Sequence, residues 1–203
     1  MNVVESLQRD LNGLGFPCGP VDGVNGPATR TAVARFQLAY GWRRITVDGL
    51  YGPQTFGALS QVRTTGRLSP HFSVSELRSK GDGTVYVHRD LLAGLEALRA
   101  HVGRPLPIVS GWRDEAHNRR VGGARTSQHT FGVAPELTRI AFRFSPQVSF
   151  TAGRAADFSQ GYIRLEDATA LRLFTGLGHR NGWVTHVDVR PGNAASPTVW
   201  RYG

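Results

Sequence analysis

A single cysteine, Cys18, occurs among 203 residues. No internal disulfide can form, and no thiolate cluster can hold a metal, so any metal must be met by histidine and carboxylate. Cys18 itself reads as a small buried apolar residue. No stretch approaches the ~20 apolar residues of a membrane span, which excludes membrane insertion. The opening residues MNVVESLQRDL lack the basic segment and apolar run of a secretion signal. A substrate outside the membrane would therefore require another route of release. Runs of like charge are also missing. The basic residues are almost all arginine and are scattered, which argues against a nucleic-acid partner.

What is present is a folding composition, 40% hydrophobic and 19% charged. Its length suits two small domains. The net charge of +9 and the pI near 10.9 favour polyanions. Nucleic acid, anionic lipid and anionic wall polymers all fit that charge, which does not choose among them.

The first motif is an internal repeat. Val21-Asp22-Gly23-Val24-Asn25-Gly26-Pro27-Ala28-Thr29 recurs 26 residues later as Val47-Asp48-Gly49-Leu50-Tyr51-Gly52-Pro53-Gln54-Thr55. In each copy Asp-Gly and Gly-Pro punctuate a turn, and Pro lies near a helix start. Val4, Leu7, Leu11 and Leu14, and later Ala32, Val33, Phe36 and Tyr40, recur at helical spacing. The pattern predicts a three-helix bundle over residues 1–62. With Arg30-Thr31-Ala32-Val33-Ala34-Arg35-Phe36-Gln37 following the first turn, it resembles the three-helix peptidoglycan-binding domain. The resemblance, not the spacing, implies a wall-binding role.

Residues 63–70, polar with Gly and Pro, read as a linker, and a second domain is expected over residues 71–203. Leu91, Leu92, Leu95, Leu98 and Val102 predict a helix from Arg89 to Val102, with Gly103 beyond its end. Residues 107–112 read as a short strand. Residues 182–190 alternate as another, with Val184, His186 and Asp188 on one face. The expected class is α+β: a small N-terminal three-helix bundle, then an α+β domain with a small antiparallel sheet.

Of the seven histidines, His129 in Thr126-Ser127-Gln128-His129-Thr130-Phe131-Gly132 and His186 on the late strand stand out. Catalytic zinc takes three protein ligands and keeps a position for water, so two histidines and an aspartate would serve. The phrases Ser110-Gly111-Trp112-Arg113, Asn118, Gly122-Gly123, Ser127-Gln128-His129 and His186-Val187-Asp188-Val189-Arg190 resemble the zinc D-alanyl-D-alanine carboxypeptidase family, which includes murein endopeptidases and phage endolysins. One departure concerns the aspartate that follows the first histidine. The family phrase ending in Ala-Ala-Asp appears only at Arg154 to Asp157. Treating residues 133–153 as an insertion shortens the His129-to-Asp157 offset from 28 to 7 residues, the family value. Asp157 is therefore expected as the ligand. Glu136, at the family distance without excision, is its rival. The insert's alternation at Ile140, Phe142, Phe144, Val148 and Phe150 suggests a hairpin beside the metal.

The resemblance implies Zn2+ held by His129, Asp157 and His186. It implies Arg113 for the substrate carboxylate or carbonyl. His179 in Gly178-His179-Arg180-Asn181-Gly182 is named as general base from its own phrase, since its spacing to His186 is not that of the family. Asp188 would orient a histidine. Ser127 and His117 read as support around the site, and His71, His88 and His101 as ordinary histidines. The function implied is a zinc peptidoglycan peptidase, bacteriolytic and endolysin-like, which cuts a stem-peptide or cross-link amide. The alternative is a wall-binding protein whose metal site is disrupted. Peptidoglycan is the expected partner, with anionic wall polymers beside it. The protein is expected to be a monomer that reaches the wall after phage-type release from the cytoplasm or by another export route.

Overall fold

Helices α1 (Val3–Leu14), α2 (Pro27–Ala39) and α3 (Pro53–Thr65) build the first unit of the computed structural model. The structure describes residues 2–123, 125, 127, 129–130, 155–158 (backbone), 163–190 and 192–201. Asn2 caps α1 by accepting from the Val4 amide. Pro27 and Pro53 open α2 and α3, where a missing N–H is no loss.

A buried glutamine lies behind each copy of the repeat. Gln8 Nε2 donates to Asp22 Oδ1 (2.7 Å) and Thr29 Oγ1 (3.1 Å), and its Oε1 accepts from the Gly23 amide (2.9 Å). Gln37 does the same for the second copy, with Asp48 Oδ1 (2.8 Å), Thr55 Oγ1 (2.9 Å) and the Asp48 and Gly49 amides (3.0 and 2.8 Å). The repeated Asp-Gly and Thr are thus the outer ends of one polar knot, tied twice. Gly49 has φ +70°, and a Cβ there would come 2.9 Å from the Arg30 carbonyl oxygen, so the turn requires glycine.

Residues 63–70 contain the end of α3 and then turn inward. Leu68 and Ser69 are fully buried, and the Gly41 amide donates to Leu68 O at 2.8 Å. The Val85 amide donates to Gly15 O at 2.7 Å, and Arg89 reaches Ile45 O at 2.8 Å. One apolar cluster runs through both units, from Phe16 and Phe36 to Phe72, Val85 and Leu92.

The second unit continues with α4 (Val74–Leu77), α5 (Arg89–Val102), β1 (Ile108–Ser110), α6 (Glu115–Arg120), β2 (Ala155–Phe158), α7 (Leu165–Ala170), β3 (Gly176–Arg180), β4 (Trp183–Asp188) and β5 (Thr198–Arg201). The strands form one sheet in the order β1-β2-β4-β3-β5. The α+β class is as expected. The sheet is mixed, however, and not wholly antiparallel: β5 runs opposite to β4 but lies beyond β3, so it pairs parallel to β3. Leu91, Leu95 and Leu98 of α5 share the core with Phe174, Leu177, Val184 and Val187. A Cβ at Gly94 would come 2.8 Å from the Phe174 ring, so glycine lets that ring lie against the helix.

Strand β4 departs from the regular alternation expected of it. Gly178 pairs with His186 but His179 pairs with Val184, which makes Thr185 the additional residue of a bulge. Val184 and Val187 both enter the apolar core, although a regular strand would send residues three apart to opposite faces. The expected face of Val184, His186 and Asp188 is thereby split. Among the described residues no helix is long and apolar enough to cross a membrane.

Two outcomes follow for stability. Gln37→Ala leaves the Asp48 and Gly49 amides and Thr55 short of partners, and should cost roughly 2–4 kcal/mol in urea unfolding. Glu96 is the second case. Burial raises its pKa, but the Ser69 hydroxyl, the His71 amide and the His71 ring outweigh that and hold it below the ordinary carboxylate value. A lowered folded-state pKa gives stability that is present above the unfolded value and lost as pH falls through the folded one. Glu96→Gln should therefore lose less stability than the parent between about pH 7 and about pH 3, measured by urea midpoints.

Candidate metal centre

Strand register lays one row of residues across the sheet. Ser110 pairs with Asp157, Asp157 with His186, His186 with Gly178, and Gly178 with Trp200. Residues directly opposite one another share a face. His186 thus lies one strand from Asp157 and two from Trp200. Because Gly178 has no side chain, the His186 and Trp200 rings meet across it at 4.9 Å between centroids.

His129 comes to this row from the loop after α6. Its ring lies 5.0 Å from that of His186, nearly edge to face, and the two histidines are only 4% and 3% exposed. His129 Nδ1 lies 2.6 Å from Gly111 O, and its own carbonyl accepts from the Arg113 amide at 2.9 Å. The Ser127 hydroxyl accepts from the His129 amide at 3.3 Å, the supporting place expected for it.

Asp188, fully buried, lies 3.3 Å through Oδ2 from His186 Nε2 and is gripped by the Arg190 guanidinium. Burial would raise its pKa. The hydrogen bonds from Arg190 and His186 outweigh burial and bring it down to about 2. Arg190 continues over the Trp200 ring at 4.8 Å.

These contacts suit imidazoles that hold a metal. A carbonyl and a carboxylate can only accept, so His129 donates from Nδ1 and His186 from Nε2. In the neutral tautomers the lone pairs then lie on His129 Nε2 and His186 Nδ1. Among the described side chains no group of three His, Cys, Asp or Glu converges. Of Asp157 the structure describes the backbone, which pairs with His186. Glu136 and the insertion at 133–153 lie outside the described residues.

Arg113 is held near the pair through Nε, which donates to Ser110 Oγ at 2.7 Å. His179 is placed elsewhere. It follows Gly178 on β3, one residue off the His186 row and on the same side as Leu177, and its Nδ1 accepts from the Gly182 amide at 3.2 Å. The ring closes the β3–β4 turn, and the expected base at His179 is thus not brought together with the His129–His186 pair. His117 pairs with Arg120, His71 with Glu96, and His88 caps α5.

Sequence reasoning missed Trp200, the grip of Arg190 on Asp188, and the role of the glycines in β3. Alternate glycines in Gly176-Leu177-Gly178 were a readable signal for a strand with one bare face. Trp200 offered none, because its position depends on a parallel pairing.

Comparison with known proteins gives two family matches. A Peptidase M15 model matches residues 70–188, and a peptidoglycan binding domain model matches residues 1–59. The zinc D-Ala-D-Ala carboxypeptidase of Streptomyces albus G is 34% identical over 128 residues, which are 58% of this chain and 49% of that protein. The chain thus matches about half the length of this curated relative.

The site's packing is testable at Gly176. A Cβ there would overlap the Asp188 carboxylate. Gly176→Ala should lower stability by about 1–3 kcal/mol, as overpacking does. It should also shift the His186 imidazole signals in NMR, whereas Gly57→Ala, exposed on α3 with open space for a Cβ, should leave those signals in place and raise stability by up to about 1 kcal/mol.

Proposed function

The chain belongs to the Peptidase M15 family, and we propose that it is a zinc-dependent peptidase that hydrolyses an amide bond in the peptide part of peptidoglycan. The observation that carries this reading is the pair of buried imidazoles 5.0 Å apart, each with one ring nitrogen already facing an acceptor. Such outer partners fix the tautomer and the ring direction of metal-binding histidines.

His129, His186 and Asp157 would hold the ion, with Asp157 favoured over Glu136 by its pairing with His186. When bound, zinc lowers the pKa of a water toward ~7 and polarises a carbonyl. The protein's own groups do the rest. Asp188, fixed by Arg190, keeps the His186 ring in one orientation. The Gly111 carbonyl does so for His129. Arg113, anchored at Nε by Ser110, presents a planar donor fork suited to the carboxylate or carbonyl of a stem peptide. His179 is given no proton-transfer role.

The first unit would tether the enzyme to peptidoglycan and raise the local concentration of substrate. Its positive charge favours anionic wall polymers as well. Carboxypeptidase action at D-Ala-D-Ala is the activity named for the Streptomyces albus G relative. That action or cleavage of a cross-link is proposed here, in a monomer with an endolysin-like, bacteriolytic role at the wall.

Atomic absorption on the purified protein and amine release from purified peptidoglycan test the proposal. One zinc per chain with new amino groups is expected. Alanine at His129, His186 or Asp157 should abolish zinc retention and lower hydrolysis on the order of a thousand-fold. Asp188→Asn should weaken zinc about 10- to 100-fold. Zinc retained in Asp157→Ala but lost in Glu136→Ala would move the third ligand to Glu136. Wall pelleting with neither zinc nor amine release would leave a binding protein and sink the enzyme.

A further inference from the structure

We propose that Arg35, which belongs to the wall-binding unit, is a positioning residue for the peptidase site and acts through two stacked aromatic rings that end at the loop holding His129. This inference rests on the peptidase reading above and deepens it: the first unit would be part of the catalytic architecture as well as a tether.

The path is short and continuous. The Arg35 guanidinium lies over the Tyr86 ring at 4.6 Å from its centroid. The Tyr86 and Trp112 rings stack 4.6 Å apart, tilted by 36°. Both aromatic residues are buried, at 8% and 3% exposure. The residues on either side of Trp112 hold His129: the Gly111 carbonyl meets its ring, and the Arg113 amide donates to its backbone oxygen. A shift of the indole therefore moves two of the groups that hold the histidine.

The chemistry of the path argues against mere filling of space. Among the described residues Arg35 has no salt-bridge partner, and Arg35 Nε and Trp112 Nε1 are buried without a hydrogen-bond partner. Arg35 is half-buried; taking part of a cation out of water without a counterion has a cost, and an aliphatic side chain of similar length would fill the place without it. What the guanidinium adds is attraction to a ring face, which strengthens as water is excluded. It is aimed at the ring that stacks on Trp112, the residue between Gly111 and Arg113. The Val85 amide, donating to Gly15 O beside Tyr86, fixes the two units at the same seam.

The test uses the full chain with Arg35→Met and Arg35→Lys, a soluble stem peptide as substrate, and purified wall in a pelleting assay. Arg35→Met should lower kcat on the soluble peptide about ten-fold, the scale expected of a small misplacement of a catalytic group. KM should change by less than about two-fold and wall pelleting should be unchanged, as for an interaction felt only in the chemical step. Arg35→Lys, which keeps the cation without the planar stack, should recover part of the loss. In NMR the Met variant should shift the Gly111, Arg113 and His129 signals. Wild-type kcat in Arg35→Met, or NMR shifts that stop at Tyr86, would overturn the proposal. Should Arg35→Met fail to fold, Arg35→Lys decides on the same readouts. If the parent protein hydrolyses no wall peptide, the peptidase reading fails by itself, and the NMR shifts still decide whether Arg35 positions His129.

Discussion

A carboxylate with no solvent exposure has to be compensated where it stands, and Asp188 sets this constraint for the second unit. Desolvation would push it toward the neutral acid. The Arg190 guanidinium and the His186 ring reverse that and keep it ionised well below neutral pH. Much of the neighbouring sequence follows. Position 176 must be glycine, because any Cβ would occupy the carboxylate's space. Arg190 must turn back over the sheet, which carries it onto the Trp200 ring. His186, bonded at Nε2, is left with one orientation. The buried charge thus defines the bare face of β3 and the direction of the histidine beside it.

The parts of the fold legible in the sequence were those with a local cause. Proline in the first turn marked α2 and α3, Gly103 beyond the last turn marked α5, and apolar residues at helical spacing marked α1, α2 and α5, because each signal acts within a few residues of itself. The late strand was legible for the same reason. What escaped were features decided by partners far along the chain. The Thr185 bulge answers a core that needs both Val184 and Val187. The parallel β3–β5 pair depends on where the chain comes back to the sheet after β4. The same reasoning explains His179: its local phrase looked chemically useful, but alternation from Gly178 turns it away from the His186 row.

The candidate site was legible in a different way. His129 and His186 were found by phrase, and the structure brings their rings together. Asp157 was put forward by removing an insertion from the count; its backbone lies opposite His186, a relation that no offset along the chain could supply. Outer partners were only partly accessible. Asp188 lies two residues from His186 on the same strand and could be proposed from spacing. The Gly111 carbonyl is a main-chain group, and its use depends on how the loop at residues 111–114 turns.

The repeat shows how far separate logic in two units can coexist with a shared interior. Each Gln–Asp–Thr knot is complete within the first unit and needs nothing from the second. A module of this kind can in principle be joined to any partner through a flexible linker. Here the joint is not of that kind. Leu68 and Ser69 are buried, the chain continues inward from the end of α3, and main-chain hydrogen bonds cross between the units at Gly41–Leu68 and Val85–Gly15. Tethering by itself needs only length and reach. A fixed seam orders the residues at the contact, at a cost in chain entropy that a tether avoids. That cost is met by the apolar cluster common to both units, so the orientation of the first unit becomes a property of the second unit's core.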